Sequence, residues 1–428
     1  MKTKDPVVAK DLMVPFILIT ALFSLWGFAN DITNPLVAAF KTVFEITNAQ
    51  SALVQMAFYG GYFTMAIPAA LFAIKYSYKK GIILGLALYA TGAFIFYPAA
   101  HYEIFGLHLI ALYVLTFGLA FLETTANPYI LSMGSPQTAT RRLNLAQSFN
   151  PIGSITGMFV ASTYILSSLQ SDIRDASGNI VFYNLSAVEK AAIRTHDLAI
   201  IRNPYLLLGF VVLIMLIIIA AVRMPEYQQE SVTIHFKDSI KRLLQNIRYR
   251  QGVIAQMFYV GAQIMCWTFI IQYADNLGIK KSTAQNYNII AMGIFIFSRF
   301  LSTFLLKYIN RGWLLCVFAM GGMVTTLCTV FIIGMPGLYC LIATSFFMSL
   351  MFPTIYAIAL DGLGEDAKLG AAGLVMAIVG GALMPMAQGW IIDQQFFFGL
   401  PSVNVSFMLP FICFVFIAGY GYRSRKTI

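Results

Sequence analysis

Two carboxylates, Asp31 and Glu123, lie in the middle of long apolar stretches of the sequence. The other acidic residues fall in polar stretches, near the chain ends or close to the end of an apolar stretch. A charged carboxylate at the centre of a membrane costs roughly 2.5–3.5 kcal/mol on insertion scales, so such residues default to a functional role. We therefore predict that both serve proton or ion coupling. The alternative is a structural pair that locks two helices together.

Each carboxylate shares a helix face with an amide. The pairs are Asp31 with Asn34 and Glu123 with Asn127, at spacings of three and four residues. A proline directly follows each pair, and Pro35 cannot donate an N–H to the Asp31 carbonyl. The pattern predicts two interrupted helices whose freed carbonyls and polar side chains line a cavity.

Further amides and aromatic residues recur at helical spacing. Gln147 and Asn150 share a face, as do Gln263 and Trp267, and Trp26 precedes the first carboxylate. Amides supply the paired donors and acceptors that suit sugar hydroxyls, and flat apolar faces suit the C–H face of a sugar ring. We predict that these residues bind substrate. For each Trp taken alone, core or interface packing is an equal alternative.

Membrane-spanning helices must position these groups. The chain has 428 residues, of which 59% are hydrophobic and 11% charged, whereas soluble domains carry about 25% charged residues. A span needs about 20 mostly apolar residues. Twelve stretches qualify: 14–40, 52–74, 81–100, 105–133, 143–167, 203–223, 252–274, 285–306, 313–334, 336–360, 369–392 and 403–422.

The spans divide six and six, which predicts an all-α membrane protein with two pseudo-symmetric six-helix halves, 1–223 and 252–428. The stretch 224–251 mixes basic and apolar residues and predicts a cytoplasmic amphipathic linker on the membrane surface. The stretch 168–202 is polar with mixed charge and predicts an external loop with one short surface helix over 186–195.

Basic residues predict the orientation. Twenty of the 28 Lys and Arg residues fall on the side of the N-terminus, seven fall on the other side, and Arg299 lies inside a span. By the positive-inside rule, we expect both termini to face the cytoplasm. The net charge of +10 therefore indicates topology and attraction to anionic lipids, not a nucleic-acid partner. For Arg299 we favour a structural or gating pair over a substrate contact.

Seven runs of the sequence carry a family resemblance: FSLWGFANDITNPL, FYGGYFTMAIPA, YKKGIILGLALYATGA, FLETTANPY, RRLNLAQSFNPIG, YVGAQIMCW and FPTIYAIAL. With them, the chain from about residue 14 to 395 resembles the fucose–galactose–glucose:proton symporter branch of the major facilitator superfamily. The resemblance implies the major facilitator fold and proton-driven uptake of a monosaccharide, L-fucose first, by alternating access around a midplane site.

The resemblance also implies roles for single residues. Glu123 matches a Glu implicated in proton coupling, Gln147 matches a Gln that contacts sugar, and Trp26 and Trp267 match aromatics near the sugar. In the mechanism that this implies, protonation neutralises Glu123, and Asp31 with it, and so removes the charge penalty that opposes reorientation.

Two positions depart from the family's fucose symporters. Those proteins have Asn at the place of Asp31 and Asp at the place of Asn34, so carboxylate and amide are exchanged by roughly 5 Å along one face. They also have Tyr at the place of Phe352, which we still expect to contact the substrate. Because of this exchange, galactose, glucose or another sugar remains an alternative substrate to L-fucose.

Several alternatives stay open from sequence. A sodium gradient could replace the proton gradient, with carboxylates and freed carbonyls ligating the cation; we expect no other cofactor. The sequence has no HExxH, GxSxG or Cys/His cluster, so an enzyme and a metal site are disfavoured. A membrane sugar sensor that signals through 224–251 is the alternative from another class. We expect a monomer.

Overall fold

The computed structural model describes residues 8, 10–134, 142, 145–147, 149–224, 236–306, 308–363, 366–394, 396–397 and 399–425. Ten helices in these ranges are long and apolar enough to cross a membrane. The helical membrane fold is thereby confirmed. The predicted linker lies outside the described residues over 225–235, and the fifth predicted span lies outside them at 143–144 and 148.

Over its described residues, the first half of the chain forms six helical segments, which we number as spans; some are broken, and five are among the ten that are apolar and long enough to cross a membrane. The helices are Met13–Thr33 with Leu36–Val43, Asn48–Ser51 with Leu53–Lys75, Tyr78–His101, Phe105–Ser132, Asn150–Val160 and Ala187–Ala221. The fifth span continues as a π-helical turn, Ala161–Ile165, and a 3-10 turn, Leu166–Ser168. Further 3-10 turns are Lys10–Leu12, Gln170–Asp172 and Val181–Asn184.

The second half follows the same plan. A short helix, Phe236–Gln245, precedes six spans: Ile247–Asn276, Lys281–Leu305, Arg311–Phe331, Met335–Met348 with Met351–Leu360, Ala367–Met376 with Ala377–Val379 and Gly380–Asp393, and Ser402–Val405 with Met408–Ser424. A two-stranded hairpin, Phe396–Phe397 with Leu400–Pro401, joins the last two spans. The division of the chain at 224–251 stays a prediction.

With twelve helical segments that alternate in direction, the first begins and the last ends on the same side of the molecule. We call that side the inner face, following the predicted orientation, and the opposite side the outer face. The second span begins at the outer face, and the seventh span ends there.

One helix prediction is wrong. The helix expected over 186–195 is the start of a single 35-residue helix, Ala187–Ala221, which begins with a capping box between Ser186 and Glu189. Asp197, which suggested a loop, is fully buried, and its carboxylate accepts the backbone N–H groups of Gln170 and Ser171. The polar residues therefore dock an outer extension of the sixth span.

The two proline sites also differ. The first span breaks between Thr33 and Leu36, as predicted from Pro35. The fourth span instead runs without a break to Ser132, so the interruption predicted after Asn127 is wrong. In membranes, side chains and neighbouring helices can satisfy the backbone groups that a proline frees, and a helix can then continue through it.

Glycines bring the first and fifth spans into backbone contact. A Cβ added at Gly153 would lie 1.8 Å from the carbonyl oxygen of Ser24, and one at Gly27 would lie 2.1 Å from the carbonyl oxygen of Asn150. The Ser24 hydroxyl also donates to the Phe149 carbonyl across this contact (2.8 Å). Small residues thus fix the distance between the two spans that carry most of the first-half polar groups.

Gly153→Ala tests this contact. The added methyl group meets backbone and forces the spans apart, so we expect a loss of about 1–3 kcal/mol in the free energy of unfolding. Gly293→Ala is the matched control, because a Cβ there meets nothing within 4 Å; it should be neutral or stabilising by up to about 1 kcal/mol. Thermal unfolding of the purified variants in detergent measures both. Equal midpoints would contradict the packing argument.

Ion pairs tie the short helix before the seventh span to the inner face. Arg242 donates two hydrogen bonds to the Asp366 carboxylate (2.7 and 2.6 Å), and they lower the pKa of Asp366 to about 2. Arg311 and Arg248 both bond to Asp361 and lower its pKa. Both carboxyls therefore stay ionised throughout the neutral and mildly acidic range.

The pKa of Asp366 gives a prediction about pH. Because its folded-state pKa is depressed from the ordinary value of 3.8 to about 2, its stabilising contribution is present above the ordinary value and is lost as the pH falls through about 2. Asp366→Asn should therefore lower the unfolding midpoint equally at about pH 5 and pH 8. Asp238→Asn, an exposed change on the neighbouring helix, is the control. A deficit that shrinks towards pH 5 would argue against the ion pair.

Candidate functional site

Asp31 lies beside the break in the first span. Its side chain is 1% exposed, and its Oδ1 accepts a hydrogen bond from Asn34 Nδ2 (3.3 Å). The side chains of Asn30 and of Ser154, on the fifth span, lie close to the same carboxylate. The predicted pair of Asp31 and Asn34 thus exists, and the fifth span helps to hold it.

Glu123 has a different environment. Its Oε2 atom is buried and has no hydrogen-bond partner among the described residues. The phenols of Tyr62, on the second span, and Tyr356, on the tenth, interact electrostatically with the carboxylate. Glu123 therefore faces polar groups from both halves and keeps one oxygen available.

The predicted amides around Glu123 are linked to it. Asn127 Nδ2 donates to the Glu123 carbonyl (3.0 Å), and Asn127 Oδ1 accepts from Gln147 Nε2 (3.1 Å). Gln147 is exposed, so part of its amide is free to meet a solute. Asn150 Nδ2 instead donates to the Phe23 carbonyl (3.2 Å), so in this conformation Asn150 supports the contact between the first and fifth spans.

The predicted aromatic residues divide between the cavity and the core. Trp26 is half-buried and donates from Nε1 to the Tyr62 hydroxyl (2.8 Å), which brings it near Glu123. Trp267 is 6% exposed, and its Nε1 donates to Ser345 Oγ (3.0 Å). The indole N–H of each Trp is therefore already used, and what remains for a ligand is ring surface.

Second-half candidates lie along the seventh and tenth spans. Gln263 and Phe352 are half-buried, and the Phe352 ring lies 6.2 Å from the rings of both Tyr259 and Tyr356. Arg299 places its guanidinium 4.7 Å from the centre of the Phe295 ring, with Nε 3.4 Å from the Ser349 carbonyl. These contacts fit a structural role for Arg299.

Sequence reasoning missed one polar face. Gln55, Tyr59 and Tyr62 follow one another at four and three residues on the second span, within or beside the run FYGGYF, and this spacing was the available signal. The Tyr59 hydroxyl donates to Asn30 Oδ1 (2.9 Å). Gln55 bonds to Asn34 and to the second half. The second span therefore contributes as much to the polar centre as the first.

The halves are joined at the outer face by an amide and carboxylate cluster. Asp393, at the end of the eleventh span, accepts hydrogen bonds from the backbone N–H groups of Asn48 and Ala49 and from Asn48 Nδ2, at 2.7–2.9 Å. Gln272 Nε2 donates to Asn48 Oδ1 (3.2 Å). A carboxylate from one half thus caps a helix start of the other.

An ionic cluster adds to this closure. The outer loop of the first half supplies Asp172 and Arg174, and the seventh and eighth spans supply Asp275 and Lys281. Lys281 Nζ lies 2.6 Å from Asp172 Oδ1, and Arg174 pairs with Asp275. Ser162, in the π-helical turn, donates to the Ser282 carbonyl (3.1 Å). The conformation is closed at the outer face.

Among the described residues, no group of three or more His, Cys, Asp or Glu side chains could hold a metal ion. The five cysteines are free thiols. The polar centre consists instead of carboxylates, amides, hydroxyls and aromatic rings placed between two bundles of helices.

Membrane-spanning helices that enclose buried carboxylates and amides are typical of a secondary transporter. The family model for the Major Facilitator Superfamily matches residues 17–385, and the chain belongs to that superfamily. Its fold agrees with the crystal structure of a transporter of this superfamily, FucP, in the outward conformation: the TM-score is 0.73 at 33% identity, over 98% of this chain and 100% of that one.

Full-length relatives fit this assignment. The chain is 66% identical over 423 residues to the L-fucose-proton symporter of Haemophilus influenzae, with 99% of each protein covered. It is 34% identical over 431 residues to the L-fucose-proton symporter of Escherichia coli, over 99% of this chain and 96% of that protein.

The contrast between the two carboxylates is testable by stability. Glu123→Gln replaces a carboxylate that has one unpartnered oxygen by a neutral amide. We therefore expect the free energy of unfolding to rise by about 1 kcal/mol. Asp31→Asn replaces a carboxylate that accepts a hydrogen bond from Asn34, so we expect a loss of about 1 kcal/mol in the free energy of unfolding. Thermal unfolding at neutral pH without substrate measures both. If both variants changed the free energy of unfolding in the same direction, the two carboxylates would not differ in environment as described.

Proposed function

We propose that this protein takes up a monosaccharide, L-fucose, by proton symport with alternating access. One observation carries the proposal: the Glu123 side chain keeps a buried oxygen without a partner among the described residues, and Asn127, one turn further along the same helix, accepts a hydrogen bond from the exposed amide of Gln147. A proton-accepting group and an amide proposed to bind sugar therefore lie one helical turn apart. The similarity to L-fucose-proton symporters supports the choice of substrate.

Coupling follows from the cost of moving a charge. An ionised Glu123 must remain near water or a partner, because an isolated charge in the membrane interior is strongly unfavourable. A proton on Glu123 removes that constraint and lets the two halves rock. Sugar bound beside Gln147 favours closure, since both halves can then contact it. Release on the inner side restores the ionised carboxylate.

Sugar recognition uses groups from both halves. Gln147 and Asn127 of the first half and Gln263 of the second offer amides to vicinal hydroxyls. Trp26, Trp267 and Phe352 offer ring faces to the apolar side of the sugar. Because Trp26 and Trp267 already donate their indole N–H groups, we expect them to contribute shape and apolar area rather than hydrogen bonds.

The exchange of Asp31 and Asn34 bears on the choice of sugar. Asn34 is 5% exposed, its Nδ2 donates to Asp31, and its Oδ1 accepts from Gln55. Both polar ends of this amide are therefore used within the protein in the outward-closed form. This favours a role for the exchanged pair in the conformational change and leaves L-fucose as the preferred sugar over galactose or glucose.

Proton coupling is favoured over sodium coupling by the donor set. Sodium, like other hard cations, needs several oxygen ligands around one point. The described residues give the Glu123 side chain no hydrogen-bonded oxygen neighbour, while Asp31 accepts a hydrogen bond from the amide of Asn34. We propose that the protein works as a monomer in the bacterial inner membrane, with lipid around it and both termini in the cytoplasm.

Uptake into proteoliposomes tests the function. Labelled L-fucose, galactose and glucose are supplied with an imposed pH or sodium gradient. We expect L-fucose to accumulate with the pH gradient alone, and Glu123→Gln to reduce that accumulation by at least about 10-fold, because the neutral side chain cannot carry a proton in and release it.

Two controls sharpen this test. Asp238→Asn removes an exposed acid and should leave accumulation unchanged. Counterflow of L-fucose, which needs no net proton movement, should persist in Glu123→Gln. Accumulation driven by sodium would replace the proton mechanism, and an absence of accumulation for all three sugars would refute the proposal.

A further inference from the structure

A hydrogen-bond chain runs from Asp31 across the boundary between the halves. Asn34 Nδ2 donates to Asp31 Oδ1 (3.3 Å), Gln55 Nε2 donates to Asn34 Oδ1 (3.1 Å), and the same Nε2 donates to Thr268 Oγ1 (3.0 Å). Asp31 and Asn34 are on the first span, Gln55 is on the second, and Thr268 is on the seventh. Three of these residues therefore belong to one half and the fourth to the other.

The four residues of this hydrogen-bond chain are shielded from solvent. Its four side chains are between 0% and 5% exposed, with Gln55 fully buried. The Oε1 atom of Gln55 has no hydrogen-bond partner among the described residues. An amide that leaves an oxygen unpartnered is unfavourable inside a membrane protein, and a leucine would pack there without that penalty. This points to a role for the Gln55 N–H groups.

We propose that Gln55 is a positioning residue of the transport cycle, which joins the Asp31–Asn34 pair to Thr268 and makes closure of the outer face depend on the state of Asp31. For its place in transport the proposal rests on the proposed function. The hydrogen bond between the halves is independent of it.

The orientation of each amide follows from its neighbour. An ionised Asp31 can only accept, so Asn34 turns its NH2 group towards Asp31 and its oxygen towards Gln55. Gln55 must then present its NH2 group to both Asn34 and Thr268. A neutral Asp31 can donate, which reverses the direction of the whole chain and makes Gln55 an acceptor from Thr268. The contact between the halves therefore has two forms, selected at Asp31.

Other groups around Asp31 complete its surroundings. Its own span supplies Asn30, the second span supplies Tyr59, and the fifth supplies Ser154. Asn30 and Ser154 are neutral, and the Tyr59 hydroxyl is bonded to Asn30. These groups hold Asp31 in place within the first half. The route to the second half that the distances define is the one through Asn34 and Gln55.

A second hydrogen bond between the second and seventh spans provides an internal control. Gln272 lies one turn beyond Thr268 on the seventh span and bonds to Asn48, which lies seven residues before Gln55 on the second span. This hydrogen bond also joins the halves, and through Asn48 it leads to the outer cluster around Asp393. Loss of either hydrogen bond, Gln55 to Thr268 or Gln272 to Asn48, removes one contact between the halves. Among the described residues, the bond to Thr268 is the one of the two that is linked to Asp31.

The test measures the outer opening directly. Spin labels are attached at Tyr102 and Ile333, exposed positions on the outer side of each half, in full-length protein whose five cysteines are replaced by alanine. Double electron–electron resonance in lipid nanodiscs then gives the ratio of open to closed outer faces. No substrate is needed, so the result is independent of any failure of L-fucose uptake.

Single variants test the hydrogen bond. We expect Thr268→Val and Gln55→Leu each to shift the ratio towards the open form by about 2- to 10-fold, the range for one hydrogen bond. Thr268→Ser keeps the hydroxyl and should stay within about 2-fold of the native ratio. The proposal fails if Thr268→Val and Thr268→Ser give the same ratio of open to closed outer faces. It also fails if neither Thr268→Val nor Gln55→Leu shifts that ratio, because the hydrogen bond then does not hold the halves together.

A double-mutant cycle tests the link to Asp31. Asp31→Asn combined with Thr268→Val should depart from the product of the single effects by at least about 2-fold, because the two residues share one network. Asp31→Asn combined with Gln272→Leu should be multiplicative. Multiplicative effects in both cycles would overturn the proposed dependence on Asp31.

Discussion

Every polar group inside a membrane protein must find its partner within the protein, and this constraint organises the whole molecule. Backbone groups are satisfied by helices, so what remains to be satisfied is a small set of side chains at the centre. Asp31 accepts a hydrogen bond from Asn34, whereas Glu123 has an oxygen without a partner among the described residues. The first arrangement suits a carboxylate that acts through its neighbours on the contact between the halves, and the second suits a group that exchanges a proton with substrate or water.

Two kinds of contact between spans share the work of alternating access. Within the first half, Gly27 and Gly153 bring the first and fifth spans to backbone contact, which leaves little freedom to slide. Between the halves the contacts are side-chain hydrogen bonds and ion pairs, such as Asn48 with Asp393 and Lys281 with Asp172. Such contacts can break and reform without repacking a core. The halves therefore move as units, and the outer boundary is the part that opens.

The sequence was sufficient for the fold because membrane spans carry their own signal in length and polarity. It was sufficient for the hydrogen bond between Asp31 and Asn34, since helical spacing brings this carboxylate to its amide. It did not predict that Gln147 bonds to Asn127, or that Asn127 bonds to the backbone carbonyl of Glu123 instead of its carboxylate. It failed at the fourth span, where the helix continues past the proline, and at 186–195, where buried Asp197 extends a helix. Gln55 was missed because its partner Thr268 is 213 residues away, a contact that only the packing of the two halves creates.

The ionic cluster at the outer loop has a consequence for the surrounding solution. The side chains of Asp172, Arg174 and Lys281 are at most 7% exposed, and that of Asp275 is 18% exposed. Opening the outer face rehydrates four charges that are largely hidden from counterions when it is closed. Mobile ions screen exposed charges far more than buried ones, so added salt lowers the free energy of the open form relative to the closed form. The ionic strength of the external medium thus acts on which face of the transporter is presented to the outside, before any sugar is bound.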